Sequence, residues 1–429
     1  MEKSVLMIAY HYPPAQASGT HRTLGFSKHL PRFGWHPLIL SAHPMAFEQR
    51  DSSTLSQTSP DIPVIRAFAL DTARHLAIKG RYARILALPD RWSSWLLSAI
   101  PAGLWMIHRH RPKVIWSTYP IATSLMIGRI LSRWSGLPWI VDLRDPMVIG
   151  RHPVDPRIRN LFVTLEKKVV HECDRMVVTT VGLKNLMTQR YPQLPEDKWQ
   201  VIANGYEDDL FNEPDIAHAM ACSASREQRN NKITLLHSGT LYTGHEERNP
   251  ASFLDALVDL IGLGVIRHPH EVSTSGIDLR VIFRATGHDA EINAMIRTRH
   301  LEEMVLLQPT LPYKESLMEM MTVEGLLLFQ GAAFDRMIPA KLFEYLRSGR
   351  PVFALVGEGG DSRKILDDCG ASHCVPLEDR VAIRTGLASF LKAFAAGHIL
   401  QTPLERVQKY SRREGARALA EVLDQFQTR

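Results

Sequence analysis

Short apolar runs recur along the chain, each followed by a longer stretch with helical spacing. The first series is Val5–Ala9, Pro37–Leu40, Val64–Ala67, Val114–Ser117, Trp139–Leu143, Arg175–Thr179 and Gln200–Ile202. A polar break from Asp208 to Lys232 interrupts it. The pattern then restarts with Thr234–His237, Leu279–Ala285, Met304–Gln308, Gly325–Phe329, Pro351–Leu355 and Cys374–Pro376. Apolar runs alternating with helical patterns predict parallel sheets covered by helices on both faces. The reading is an α/β chain of two doubly wound, parallel-sheet, Rossmann-like domains facing across a cleft. The expected boundaries are 1–205 and 206–400, with a linker near 205–232 and a helical tail over 401–429. Open parallel sheets bind ligands beyond the carboxyl ends of their strands. With two such sheets, the cleft between them is the default site.

Composition changes this picture little. A chain of 429 residues suits two domains. Cys173, Cys222, Cys369 and Cys374 show no paired metal spacing, which fits a reduced, cytoplasmic setting. The apolar run at the start is too short for a signal peptide and reads as a first strand. No run approaches the roughly 20 apolar residues of a membrane span.

Charge matters more. Residues 1–200 hold 26 Lys+Arg and 14 Asp+Glu, net +12; residues 201–429 hold 25 and 31, net −6. A basic first half is expected to face something anionic: a phosphorylated acceptor, a membrane surface or nucleic acid. Within it, Arg74, Lys79, Arg81, Arg84, Arg91, Arg109, Arg111 and Lys113 surround Trp92, Trp95 and Trp105. That mixture suits an anionic interface at the inner face of the cytoplasmic membrane, or core tryptophans beneath a solvated basic face. No nucleic-acid motif or aromatic–basic repeat accompanies the charge, so nucleic acid is not expected as a partner.

Ile338 to Leu355 is the most informative stretch. Pro339 suits the first helical position and Gly349 the left-handed position just past the helix end. Lys341 and Glu344 then share one helical face. Free N–H groups and the partial positive charge of a first turn attract phosphate, and Lys341 adds a full charge. Glu344 can accept hydrogen bonds from a vicinal diol. The pair would grip the pyrophosphate and ribose of a nucleotide-sugar; the alternative is a surface ion pair.

PAKLFEYL followed by GRP and an apolar strand resembles the donor segment of retaining glycosyltransferases with the GT-B fold, family 4, the group that includes cell-wall, capsule and lipopolysaccharide sugar transferases. The resemblance extends in order through Tyr10–Leu40, Pro138–Pro146, Val201–Phe211, His237–Tyr242 and Glu247–Leu257. It implies an acceptor-binding first domain, a donor-binding second domain and a tail that crosses back onto the first. Gly19 and Arg22 match the family's glycine and arginine after the first strand, although Ser18 stands where a second glycine is common; a plain strand-to-helix turn is the alternative. Asp145 matches the acid after Trp139–Leu143, with Arg144 where a histidine is frequent. Asp145 would orient or deprotonate an acceptor hydroxyl and Arg144 would hold phosphate, or the two form a structural pair. Gly239 and Thr240 stand where a glycine and an arginine contact the donor, with Arg248 as the substitute cation. Leu342 lies in the donor helix, and Gly360 and Asp361 open a loop near the sugar, or a capped helix start. Glu344 matches the second of two glutamates eight positions apart, but Arg336 replaces the first.

The chain contains no Asp-x-Asp and its histidines lack metal spacing, so neither metal nor cofactor is expected. Lys341, Arg248 and helix N–H groups would neutralise the leaving diphosphate. The expected activity is metal-independent glycosyl transfer, with retention, from a nucleotide-diphosphate-sugar to the hydroxyl of a sugar, lipid-linked or other acceptor. Rivals are a nucleotide-sugar epimerase or hydrolase of the same fold and a non-catalytic nucleotide-sugar-binding partner.

Overall fold

The computed structural model describes residues 3–150, 153–224, 232–244, 248–268, 276–371, 373–398 and 402–426. Residues 225–231 of the polar break, Glu247, and residues 401 and 427–429 of the tail lie outside the described residues. The chain forms two compact units, one built from residues 1–204 and 412–429, the other from 205–411.

The first unit holds a sheet of seven strands: β1 (Lys3–Ile8), β2 (Trp35–Ala42), β3 (Val64–Ala67), β4 (Val114–Thr118), β5 (Trp139–Leu143), β6 (Arg175–Val178) and β7 (Trp199–Val201). Their order is β3-β2-β1-β4-β5-β6-β7, and every neighbouring pair is parallel. The period-2 alternation of β1 separates two cores. Leu6, Ile8 and Tyr10 join the core that includes Trp95, Ala99 and Leu125 of the helices Trp95–His110 and Ala122–Ser135. Val5, Met7 and Ala9 join the opposite core with Phe26, Leu419 and Leu423. Those last two belong to the helix Arg412–Asp424, which packs on Ser18–His29. Gly25 permits that contact, because a Cβ there would lie 2.7 Å from Arg412 Cδ.

The second unit holds six strands: β8 (Lys232–Ser238), β9 (Asp278–Arg284), β10 (Val305–Gln308), β11 (Gly325–Gln330), β12 (Val352–Val356) and β13 (His373–Val375). Their order is β10-β9-β8-β11-β12-β13, again all parallel. Leu235, Val281, Phe283, Leu327, Phe329 and Phe353 fill one core with Phe253 and Phe390 from covering helices. Strand order reverses between β1 and β4 and between β8 and β11, the switch points at which such sheets open a crevice.

Each strand expected from the apolar runs is present, with ends displaced by one or two residues. The polar break is not a simple linker. It carries the helices Asp208–Phe211 and Pro214–Ala224, and Ile216 is fully buried. Lys314 fastens the second helix region through Glu213 at 2.7 Å and Asp215 at 3.0 Å. Pro214 occupies the first helical position, where its missing N–H costs nothing. The three tryptophans of the basic segment divide: Trp95 is buried, Trp92 half-buried and Trp105 exposed. Among the described residues no helix is long and apolar enough to cross a membrane.

Candidate functional site

Four loops at the carboxyl ends of β9, β8, β11 and β12, neighbours in that order, carry the charged and glycine-rich segments of the second unit. β8 ends in Ser238, and Gly239 follows with φ +118°, a conformation that side chains rarely adopt. A Cβ on Gly239 would lie 2.6 Å from Lys341 Nζ. Gly239 is therefore required twice, by its backbone conformation and by the amine that sits over it.

Lys341 opens the helix Lys341–Ser348, which follows β11. Its amine donates to His237 Nε2 at 3.2 Å. His237 Nδ1 stands 2.9 Å from the Leu327 carbonyl. A carbonyl only accepts, so Nδ1 carries the proton and Nε2 offers its lone pair to the lysine. Burial, reinforced by Lys341 and Arg248, holds the His237 pKa well below the usual histidine range. Burial first, then the charge of Arg248, likewise holds the Lys341 amine well below the usual lysine range, with Glu344 opposing. Two cationic side chains thus converge on one enclosed spot with a neutral imidazole behind them. Such a spot is strained when empty of anion and favourable when an anion enters.

Glu344 is buried and accepts from the Tyr313 hydroxyl at 2.5 Å. Tyr345, on the same helix, ties down the end of β8: its hydroxyl oxygen accepts from Ser238 N–H at 2.9 Å. Arg248 lies 5.3 Å from the Phe334 ring centroid and 6.0 Å from that of Tyr242. Tyr242 stacks on Phe334 at 6.2 Å and lies 5.7 Å from His288. Thr240 packs toward Gly287, the next loop over.

Two expectations about the donor helix need correction. Pro339 is not its first residue; it precedes the Ala340 cap. Nor is the first turn a row of open N–H groups. Leu342 N–H donates to Pro339 O at 3.0 Å and Phe343 N–H to Ala340 O at 3.2 Å. The helix begins with i→i−3 bonds that consume these donors. Leu342 itself is a core side chain with no exposed surface. The electrostatic pull of the site is therefore carried by side chains more than by the helix end. Gly349 adopts the left-handed conformation at the helix end, φ +71°.

Arg336 is exposed on the loop after β11. Its neighbour Asp335 turns the other way, against the loop after β12: a Cβ on Gly357 or Gly360 would lie 2.6 or 2.9 Å from its Oδ1. Burial, then Asp361, raise the Asp335 pKa above the usual carboxylate range. Asp361 N–H donates to Asp335 O at 2.7 Å, and the Asp361 carboxylate pairs with Lys364 at 3.1 Å. Gly360 caps the helix Asp361–Asp368 without a side-chain bond. His237 and Asp335 were not singled out from the sequence. The histidine's signal is a polar residue next to the carboxyl end of the strand run KITLLHS.

The first-unit candidates gather around β5. Asp142, fully buried, accepts from Arg22 Nη2 at 2.8 Å and from Thr118 Oγ1 at 2.7 Å. The rest of the Arg22 guanidinium donates to the carbonyls of Ile202 and Ala203 and to Asn204 Oδ1. Arg22 thus ties the start of one helix to the ends of β5 and β7 and has its donors turned to protein acceptors. Arg144 donates from Nε to Tyr119 O at 2.5 Å and from Nη1 to Gly19 O at 3.3 Å. A Cβ on Gly19 would lie 2.9 Å from Arg144 Nη2, so this glycine admits the guanidinium. Asp145 follows at the end of β5 and contributes, after Asp142, to holding Arg144 charged against its burial.

Residues 19–205 match the family model described as "Glycosyl transferase 4-like domain". A search of curated proteins found no match. Among solved structures, the chain is similar to a sucrose-phosphate synthase from Thermosynechococcus elongatus, at 14% identity and TM-score 0.66 over 99% of this chain and 98% of that one. It is similar to Anabaena HepE in complex with UDP-glucose, at 13% identity and TM-score 0.64 over 98% and 99%. It is also similar to a UDP-GlcNAc 2-epimerase from Methanocaldococcus jannaschii, at 12% identity and TM-score 0.55 over 99% and 100%. These likenesses concern the fold. The chain therefore has the two-domain GT-B fold, and its residues 19–205 match a glycosyl transferase 4-like domain.

Proposed function

We propose that this protein transfers a glycosyl group from a nucleotide-diphosphate-sugar to an acceptor hydroxyl, with the second unit holding the donor and the first the acceptor. The observation that carries the reading is the Lys341 amine, enclosed over Gly239 beside His237 and under the charge of Arg248. Two cations at a solvent-poor spot beyond a parallel sheet suit a diphosphate, and they supply positive charge where a leaving diphosphate develops negative charge. Metal is not part of the proposal for that reason. Glu344, oriented by Tyr313, is the proposed acceptor for ribose hydroxyls. Asp335, beside the glycines after β12, is the proposed contact to the donor sugar. HepE, of the same fold, was solved with UDP and glucose bound, which supports a nucleotide-sugar as the donor class.

Retention of anomeric configuration is part of the reading, with departure and attack on one face of the sugar. So is a peripheral contact with an anionic membrane face. Residues 62–141 hold eleven Lys+Arg against two acids, Asp71 and Asp90, net +9. Asp71 is fully buried, and Ile78, Ile85, Leu97 and Trp105 are exposed in the same stretch. Arg84, Arg91, Arg129 and Arg133 pair with acids; exposed apolar side chains among the remaining cations suit an anionic lipid surface. Flotation with phosphatidylglycerol vesicles at low salt tests that part.

The decisive test of the activity is incubation with UDP-, GDP-, ADP- and dTDP-sugars with and without hydroxyl acceptors, followed by NMR of the product anomer. Acceptor-dependent nucleotide release with a retained anomer is expected. Turnover without acceptor would favour the epimerase or hydrolase reading, which shares the fold. Nucleotide binding without any turnover would favour a non-catalytic partner.

A further inference from the structure

A pocket of about 380 Å³ lies wholly within the first unit. It opens beyond the carboxyl ends of β1, β2 and β3, between Tyr10 and His11 of the first loop, Phe47 and Glu48 of the second, and Asp71 of the third. Arg91 and Trp92 complete it. Its size falls within the range of small-ligand sites, about 300–1,000 Å³.

The wall is aromatic. Trp92 and Tyr10 lie 5.2 Å apart between centroids, and Tyr10 meets the Phe47 ring edge-on at 5.9 Å. The Arg91 guanidinium lies 4.7 Å from the Trp92 centroid.

The charge in the pocket is not the charge of the half-chain around it. Arg91 pairs with Glu48 at 2.9 Å and with Asp71 at 3.3 Å, so its single cation faces two carboxylates. His11 adds no charge at neutral pH: burial, with Arg144 and Arg91, pushes its pKa down to about 4. Asp71 Oδ1 accepts from Ala73 N–H at 3.0 Å, whereas its buried Oδ2 has no hydrogen-bond donor among the described residues beyond the ion pair. A phosphate or carboxylate entering here would have to displace Glu48 or Asp71 from Arg91, while Arg74, which donates to the Phe47 carbonyl at 2.8 Å, is already turned to the protein. A hydroxyl would not; it can donate to a carboxylate and accept from a guanidinium. Aromatic rings receive the C–H face of a sugar, while the paired ions at the edge take its hydroxyls.

We propose that this pocket seats an uncharged, hydroxyl-rich ring of the acceptor, a glycosyl or other polyol ring, and excludes its phosphate. The inference rests on the glycosyl-transfer reading above and names the acceptor chemistry for it. It also revises the expectation of an anionic acceptor drawn from the basic first half: Arg91, the cation that lines the pocket, is already engaged by Glu48 and Asp71.

The test uses the full chain and saturation-transfer NMR with titration of a panel of methyl glycosides, inositol and glucose 1-phosphate. At least one neutral ring binds, more tightly than glucose 1-phosphate. Trp92→Leu weakens that binding about tenfold, and Glu48→Gln weakens it severalfold, while circular dichroism and UDP affinity stay at the wild-type values. The proposal is overturned if no neutral ring binds, if glucose 1-phosphate binds more tightly than the neutral rings, or if both variants bind like the wild type. Acceptor-dependent donor turnover that persists in Trp92→Leu would overturn the pocket's role and leave the glycosyl-transfer reading intact. Absence of any nucleotide binding or donor turnover would defeat that reading itself.

Discussion

Lys341 Nζ and His237 Nε2 lie 3.2 Å apart, although 104 residues separate them in the chain. The imidazole arrives on the penultimate residue of β8 and the amine on the first residue of the helix that follows β11. Their meeting fixes the lysine's position over Gly239 before any ligand arrives, and it does so with a neutral partner. A carboxylate in the same place would neutralise the cation and compete with an incoming diphosphate.

His237 is accordingly a positioning residue. His237→Phe keeps an aromatic ring against Phe329, 5.0 Å away between centroids, but removes the acceptor for the amine. Leaving a buried donor unsatisfied costs about 1–3 kcal/mol, so donor affinity should fall roughly tenfold or more, with His237→Asn recovering part of it. Titration calorimetry with the cognate nucleotide reads this directly; equal affinities in wild type and His237→Phe would remove the role.

Binding should also take up a proton. The free Lys341 amine has a depressed pKa, and a bound diphosphate raises it again. Below the free-state pKa the lysine is charged in both states, and affinity is flat with pH. Above it, the bound state holds the extra proton, so affinity weakens as pH rises, by at most about tenfold per unit. Calorimetry in buffers of different ionisation enthalpy at mildly alkaline pH should show uptake in wild type and none in Lys341→Met.

Gly239→Ala places a methyl group 2.6 Å from the amine and forces a side chain onto a φ of +118°. The backbone conformation alone costs on the order of 1–3 kcal/mol. Lowered thermal stability together with weakened nucleotide binding is expected; a variant that melts and binds like the wild type would contradict the close approach described here.

Asp142→Ala leaves the Arg22 guanidinium buried without its carboxylate. Breaking a buried pair from one side costs about 3–5 kcal/mol. Urea denaturation should show a loss of that order, and replacing both residues with apolar ones should recover much of it. A surface-like loss below about 1 kcal/mol would mean that the pair is more solvated than its burial implies.

The strands were legible because a parallel sheet covered on both faces demands continuous apolar runs, and those runs stand out from helical spacing. Lys341 and Glu344 were legible for the complementary reason: a polar pair three apart on a short helix that buries Leu342, Phe343, Tyr345 and Leu346. The helices of the polar break are not legible in the sequence because they carry few large apolar residues; among the described residues, Leu210, Phe211 and Ile216 are the ones buried there. The first-turn N–H groups were misjudged because sequence does not distinguish an α start from a 3₁₀ start. Arg22 and Asp142 are 120 residues apart, and only the order β1-β4-β5 brings their elements together. Asp335 carries no signal of its own in the sequence; only the fold sets it against Gly357 and Gly360, 22 and 25 residues on.

The most direct test of the account compares wild type with Lys341→Met by calorimetry against UDP, GDP, ADP, dTDP and the matching nucleosides. The account predicts that one diphosphate binds the wild type well and loses about 10–100-fold in the variant, while the nucleoside is held equally by both. A diphosphate that binds wild type and Lys341→Met alike, or no binding of any of the four, would contradict it.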